Sequence, residues 1–227
     1  MNQNEQAAAL DGLEPGQIAV VLVDFQNDFC QPAEPGHDPA QTEANAAAAS
    51  RASAFAAAAS GLGLRVIYTR QVLDLTRLDP RQRRWEEHSR LCRAGSPGAD
   101  LFIEPVPGSR VVRKDRFDIW QSREFQQALA DWDIDGLIIG GVELICCVLH
   151  AVLGAEERGY RYLVPLDLVS GMASSEGSAN RAVRAYLRAV HPTIGHAKDL
   201  LHRWQAGGAP TTELAPLCDR DRGLLPT

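Results

Sequence analysis

Short apolar segments recur along the chain, and stretches with helical character separate them. The first apolar segment, Ile18–Val23, has no polar alternation, which is typical of a parallel strand covered by helices on both faces. The pattern predicts six strands, of which the last is the weakest: Ile18–Val23, Leu64–Thr69, Arg110–Arg113, Gly136–Ile139, Tyr162–Leu166 and Thr193–His196.

The segments between these strands carry good helix formers and recognisable ends. Gly61, Gly159 and Pro192 follow three of them, as expected at helix C-termini. Strand–helix alternation predicts an α/β fold with three layers, α/β/α, around a mostly parallel six-stranded sheet. The predicted helices are Thr42–Ser60, Ser122–Trp132, about Cys146–Arg158, Glu176–Ala189 and Lys198–Gln205.

One connection, residues 71–109, is much longer than the usual loop of a compact domain. It contains four prolines, three glycines and the basic run "RLDPRQRRW". Such a loop is either a lid or wall of a substrate site, or a solvated or subunit-contacting excursion. We expect one domain over residues 1–227, with its core at about 16–206 and a C-terminal extension over 207–227.

Composition narrows the class of protein. The 227 residues are 45% hydrophobic and 23% charged, with a net charge of −6, which argues against a nucleic-acid or anionic-membrane partner. No apolar run reaches the length of a membrane span, and the polar start differs from a signal peptide. The five cysteines are therefore expected to be free thiols in a cytoplasmic protein.

Reactive side chains follow three of the predicted strands. Asp24 ends the first strand, Lys114 follows the third, and Cys147 lies where the fourth strand turns into a helix. Ligands of open parallel sheets bind beyond the carboxyl ends of the strands. A lysine and a helix N-terminus both favour the thiolate, and a carboxylate can take its proton. Backbone N–H groups at the turn could hold an oxyanion. The sequence therefore predicts a site for nucleophilic catalysis.

Three segments resemble the motifs of the isochorismatase-like cysteine hydrolase superfamily, over a stretch from about Ile18 to His196. "VVLVDFQNDFC" resembles the first motif, with Asp24 as the acid/base, and "VVRKDRFDIW" resembles the second, with Lys114 as the catalytic lysine. "GGVELICCVLHA" resembles the third, Gly-Val, four variable residues and Cys-Val, which selects Cys147 as the nucleophile. The amidohydrolase branch includes N-carbamoylsarcosine amidase, biuret hydrolase and ureidoacrylate amidohydrolase.

The resemblance implies further features of the site. It implies a Rossmann-like strand order, a cis peptide between Val142 and Glu143, and an oxyanion hole formed by the backbone N–H groups of Glu143 and Cys147. It also implies a homo-oligomer, a dimer or tetramer, acting on a small amide- or urea-type molecule. Candidates for contact with the substrate are Phe29, Trp120, Gln26 and Trp85.

The chain departs from the superfamily pattern in two places. Leu144, Ile145 and Cys146 stand where Thr-Asp-x is common, which makes the approach to the nucleophile more apolar. Metal-binding members carry Asp-x-His after the second strand, whereas "YTRQVLDLTRLDP" has no histidine. We therefore expect neither a metal nor another cofactor.

Two residues near Cys147 suggest other roles for its thiol. His150 lies one helical turn on and could form a Cys–His pair, although Asp24 and Lys114 already fill those roles. Cys146 could form a redox pair with Cys147, but adjacent cysteines rarely meet disulfide geometry.

The favoured function is cysteine-dependent hydrolysis of a non-peptide C–N bond in an amide, carbamoyl compound, urea or lactam, through a thioester. The alternatives are isochorismatase-type vinyl-ether hydrolysis, a non-catalytic ligand- or partner-binding protein, and a thiol-based redox sensor.

Overall fold

A parallel sheet of five longer strands and a two-residue sixth strand forms the centre of the fold. The computed structural model describes residues 10, 12–31, 38–170, 178–190, 194–197, 200 and 201. All strand pairs are parallel, and the order is β3-β2-β1-β4-β5-β6. This confirms the predicted α/β fold class. The strands are β1 Ile18–Val23, β2 Arg65–Gln71, β3 Arg110–Lys114, β4 Gly136–Gly141, β5 Arg161–Pro165 and β6 Ile194–Gly195.

Helices connect the strands, and most of them match the predicted segments. The long alanine-rich helix begins at Pro39 and ends at Gly61, and Asp38 caps it by accepting a hydrogen bond from Ala40 N–H. The predicted helix Lys198–Gln205 lies mostly outside the described residues, as does the expected C-terminal extension. The α-helices are α1 Asn27–Cys30, α2 Pro39–Gly61, α3 Pro80–Glu86, α4 Arg123–Asp131, α5 Leu149–Glu157 and α6 Ser178–Val190.

Two apolar layers cover the two faces of the sheet, and β1 contributes to both. Alternate side chains of a strand point to opposite faces. Ala19, Val21 and Val23 pack in one layer, together with apolar residues of α4 and α5. Ile18, Val20 and Leu22 pack in the other layer, together with the alanines of α2. The uninterrupted apolar segment of β1 thus follows from burial on both faces.

The strand register brings the carboxyl ends of four strands to one edge of the sheet. Val23 at the end of β1 pairs with Gly141 at the end of β4, and Gln71 at the end of β2 pairs with Lys114 at the end of β3. Side chains that follow these residues therefore lie close together, although their positions in the sequence span more than a hundred residues.

The long connection after β2 packs beside this edge. It contains α3, which the sequence analysis did not predict, and a short 3-10 turn at Pro97–Ala99. The backbone N–H of Asn27 donates to Asp100 O at 2.9 Å, and Cys92 N–H donates to Asp28 Oδ2 at 2.5 Å. These contacts hold the connection against α1, and its role as a wall of a substrate site stays a prediction. No helix among the described residues has the length and apolar character needed to cross a membrane.

Candidate active site

Asp24 directly follows β1 and has an unusual backbone conformation. Its φ is +53°, in the left-handed region, which Asp tolerates better than most residues. Its N–H donates to Thr69 Oγ1 at 3.1 Å, and the Thr69 hydroxyl donates to Asp24 Oδ1 at 2.5 Å. Asp24 Oδ2 lies 2.6 Å from Lys114 Nζ. Thr69 on β2 and Lys114 on β3 together fix the carboxylate, whose side chain has no exposed surface.

The ammonium group of Lys114 is the centre of the site. Besides Asp24, Nζ approaches three acceptors: Arg116 O at 3.0 Å, Gln71 Oε1 at 3.2 Å and Cys147 Sγ at 3.2 Å. Burial acts to lower the pKa of Lys114, but the negative charge of Asp24 and the hydrogen bonds to Asp24 and Cys147 act together in the opposite direction, and the net shift is upward. Lys114 therefore stays charged although its side chain is only 1% exposed.

Cys147 lies on a π-helical turn, Leu144–Val148, that leads into α5. π-helical turns inside helices occur frequently at functional sites. The turn follows Gly141, whose φ is +136° and where a Cβ would overlap the backbone of Val23, so only glycine fits. The peptide bond between Val142 and Glu143 is cis. The π-helical turn places the Cys147 thiol against Lys114, with Sγ 3.2 Å from Nζ.

The Cys147 thiol is neutral in this environment. Burial is the main cause that raises its pKa well above the ordinary value, and the negative charge of Asp24 adds to it. Lys114 lowers the pKa, as the sequence predicts, but its effect is smaller than the two raising effects. The resting site therefore holds a thiol, a carboxylate and an ammonium, and the carboxylate can take the thiol proton.

Glu143, which precedes the π-helical turn, is held by two polar side chains of α2. Asn45 Nδ2 donates to Glu143 Oε1 at 3.0 Å, and Gln41 Nε2 donates to the same oxygen at 3.3 Å. Asn45 is buried, and its Nδ2 also donates to Phe29 O at 2.8 Å. These bonds tie the cis peptide region to α1 and α2.

Phe29 and Gln26 were predicted to contact the substrate. Phe29 is half-buried on α1 and packs against the layer that contains α2. Gln26 is fully buried: its Nε2 donates to Gln71 O at 2.9 Å and to Ala99 O at 2.7 Å. Its Oε1 accepts from Gln71 N–H at 2.8 Å. Both N–H groups of the Gln26 amide therefore donate to backbone carbonyls. For this reason we do not propose Gln26 as a substrate ligand.

The two predicted tryptophans have contrasting surroundings. Trp120 is buried, donates from Nε1 to Ala151 O at 3.0 Å and packs edge-on against Phe125. A Cβ at Gly154 would overlap the Trp120 ring, so helix α5 lies directly on it. Trp85 lies on α3 and is 84% exposed. Trp120 therefore anchors the core and Trp85 faces solvent, and neither is proposed as a pocket wall.

His150 and Cys146, the two other candidates near Cys147, are both more exposed than Cys147. His150 is exposed, and its Nδ1 lies 2.8 Å from Cys146 O. Cys146 is half-buried and is a free cysteine, like Cys147. Within the described ranges, no group of three His, Cys, Asp or Glu side chains has an arrangement that could hold a metal ion.

Sequence reasoning missed two residues of the site, Thr69 and Gln71. Both stand on β2, and both side chains contact the cluster: Thr69 binds Asp24, and Gln71 Oε1 lies 3.2 Å from Lys114 Nζ. Their position could have indicated a role in the site, because both are polar residues at the carboxyl end of a parallel strand, where ligands bind. The predicted strand ended at Thr69, which left Gln71 in the long connection.

Comparison with known proteins agrees with the fold and the motifs. The family model of the isochorismatase domain matches residues 18–208. A cysteine hydrolase from Pseudomonas syringae pv. phaseolicola superposes with a TM-score of 0.72 at 17% identity, covering 87% of this chain and 97% of that one. The N-carbamoylsarcosine amidase of Thermoplasma acidophilum has a TM-score of 0.63 at 22% identity, covering 80% and 96%.

A pyrazinamidase from Pyrococcus horikoshii, solved in complex with zinc, has a TM-score of 0.62 at 17% identity, covering 78% of this chain and 97% of that one. At such identities these structures show a shared fold. The family model spans most of the chain, and its match includes Asp24, Lys114 and Cys147. The chain therefore belongs to the isochorismatase family.

Proposed function

We propose that this protein is a cysteine hydrolase that cleaves a non-peptide C–N bond in a small amide, carbamoyl compound, urea or lactam. One observation carries the proposal: the Cys147 thiol, the Lys114 ammonium and the Asp24 carboxylate meet in one buried cluster. The side chains of Asp24 and Lys114 are 0% and 1% exposed, which favours a small molecule over a polymer as substrate.

The proposed reaction begins with attack of Cys147 Sγ on the substrate carbonyl while the thiol proton moves to Asp24. The C–N bond breaks as Asp24 returns that proton to the leaving nitrogen, and a thioester remains. Water then attacks the thioester carbonyl, its proton moves to Asp24, and the acid leaves as the sulfur takes the proton back. Lys114 stabilises the carboxylate and the sulfur in each step.

The backbone N–H groups of Glu143 and Cys147 are proposed to bind the oxyanion of each tetrahedral intermediate. Among the described residues, no oxygen accepts a hydrogen bond from the Glu143 N–H. The Glu143 carbonyl, which belongs to the following peptide group, accepts from Cys146 N–H at 3.1 Å and from Val148 N–H at 3.2 Å, so Glu143 is held against the turn. A fixed donor costs no reorganisation when charge develops, which supports the assignment.

A panel of primary amides, carbamoyl amino acids, ureas and lactams tests the proposed function. We expect release of ammonia or amine from at least one class, with wild type active and Cys147→Ser inactive on it. Release at the same rate by Cys147→Ser, or conversion only of vinyl ethers, would contradict the proposal.

Lys114→Met is expected to slow labelling of Cys147 by iodoacetamide at pH 7 to 9. Lys114 lowers the pKa of the Cys147 thiol, so its removal raises that pKa further and decreases the thiolate fraction at any pH in this range. Fragmentation of the labelled peptide in the mass spectrometer separates label on Cys147 from label on the adjacent Cys146, and circular dichroism confirms that the variant is folded. Unchanged labelling in a folded variant would show that Lys114 does not act on the sulfur.

A further inference from the structure

Gln71 is held rigidly at the carboxyl end of β2. Its N–H donates to Gln26 Oε1 at 2.8 Å, and its carbonyl accepts from Gln26 Nε2 at 2.9 Å. In the sheet register Gln71 pairs with Lys114 on β3. The side chain of Gln71 therefore starts from a fixed point directly beside the charged cluster.

The side-chain oxygen of Gln71 contacts both the lysine and the nucleophile. Oε1 lies 3.2 Å from Lys114 Nζ and 3.7 Å from Cys147 Sγ. An ammonium only donates hydrogen bonds, so the amide atom that faces it is the oxygen. The negative end of the amide dipole is thus directed at the sulfur, where it disfavours a thiolate.

Gln71 also competes with the sulfur for Lys114. The ammonium has three N–H donors, and four acceptors surround it: Asp24 Oδ2, Arg116 O, Gln71 Oε1 and Cys147 Sγ. The last two lie at the same distance of 3.2 Å. A neutral thiol is a weak acceptor, so the amide oxygen takes the shared N–H in the resting site. A negatively charged sulfur is the stronger acceptor and takes it during attack.

We propose that Gln71 is a positioning residue for Lys114 and Cys147. It keeps the resting Cys147 thiol protonated, and when negative charge develops on the sulfur, one Lys114 N–H changes its acceptor from Gln71 Oε1 to the sulfur. The inference rests on the proposed function, since it assumes that Cys147 is the nucleophile. No proton is gained or lost in this exchange: the thiol proton moves to Asp24, and one N–H of Lys114 changes its acceptor.

The experiment compares Gln71→Met and Gln71→Glu by iodoacetamide labelling of Cys147 without substrate, followed by peptide mass spectrometry. Methionine removes the competing acceptor, and we expect labelling about fivefold faster than in wild type, the size expected for one hydrogen bond. Glutamate places a carboxylate beside the sulfur, and we expect slower labelling. The other charged groups that face the thiol, Asp24 from β1 and Lys114 from β3, are the same in both variants.

Gln127→Met is the matched control, because Gln127 is exposed on α4 and bonds to Asp131. It should label at the wild-type rate. Labelling of Gln71→Met no faster than wild type, or a change of the same sign in Gln71→Met and Gln71→Glu, would overturn the inference. The glutamate variant keeps the shape and the acceptor oxygen, so it remains informative if methionine impairs folding.

The same variants separate this inference from the proposed function. Opposite labelling changes together with no turnover of any amide, urea or lactam by wild type would support Gln71 positioning and reject the hydrolase. Turnover by wild type with unchanged labelling in both variants would support the hydrolase and reject the role of Gln71.

Discussion

Cys147→Ser is expected to abolish hydrolysis, whereas Cys146→Ser should keep most of the wild-type rate. Cys147 is 4% exposed, its sulfur contacts Lys114 Nζ, and the negative charge of Asp24 acts on the thiol and raises its pKa. A serine hydroxyl is a weaker nucleophile than the thiol and gives up its proton less readily. Initial rates of ammonia or amine release on the best substrate of the panel measure both variants.

The comparison of adjacent cysteines is a stringent control. Both substitutions make the same chemical change one residue apart on the same π-helical turn, so a general loss of structure would affect both variants. Cys146 is half-buried, and its carbonyl lies 2.8 Å from His150 Nδ1. Loss of activity in Cys146→Ser with retention in Cys147→Ser would reverse the assignment.

Asp24→Asn is expected to decrease kcat by about 10²–10⁴-fold, the usual contribution of general acid–base catalysis. Asparagine keeps the size of the side chain but cannot take the thiol proton or return it to the leaving nitrogen. The buried Lys114 loses its counter-charge, so we also expect the free energy of unfolding to fall by about 3–5 kcal/mol. Kinetic measurements should therefore be made under conditions in which the variant is fully folded. Denaturant titration identifies these conditions by giving the midpoint of its unfolding transition.

Labelling of Cys147 distinguishes lost catalysis from lost structure in Asp24→Asn. The charge of Asp24 raises the pKa of the thiol, so its removal shifts that pKa down and increases the thiolate fraction at neutral pH. We expect faster iodoacetamide labelling together with slower turnover. Thr69→Val is the control, because it removes the 2.5 Å hydrogen bond but keeps the carboxylate. A kcat of Asp24→Asn within tenfold of wild type would contradict the acid–base role.

The sequence was sufficient to predict the sheet because apolar patterning reports burial. Ile18–Val23 was predicted with its exact bounds, since it packs on both faces of the sheet. β2 continues two residues beyond its predicted end, to Gln71, because Arg70 and Gln71 pair with Arg113 and Lys114 of β3 although their side chains are polar. Helix α3 was missed within the long connection, although Asp79 caps it and Pro80 starts it.

The surroundings of the residues predicted to contact the substrate were harder to predict than the charged cluster. Asp24, Lys114 and Cys147 are reactive residue types at strand ends, and the structure brings them together. Nothing in the sequence around Gln26 indicates that its amide binds the backbone of Gln71, forty-five residues away. Trp120 belongs to a matching motif, but its hydrogen bond to Ala151 depends on the packing of α5. Such roles arise from tertiary contacts that local patterns do not encode.

Mass spectrometry of the enzyme quenched in acid during turnover of a slow amide, urea or lactam tests directly whether Cys147 is the nucleophile. We expect a covalent acyl adduct on the peptide that contains Cys146 and Cys147, with fragmentation placing it on Cys147. The adduct should be absent in Cys147→Ser and should decay as product appears. An adduct on Cys146, or turnover of Cys147→Ser at the wild-type rate, would contradict the assignment of Cys147 as the nucleophile.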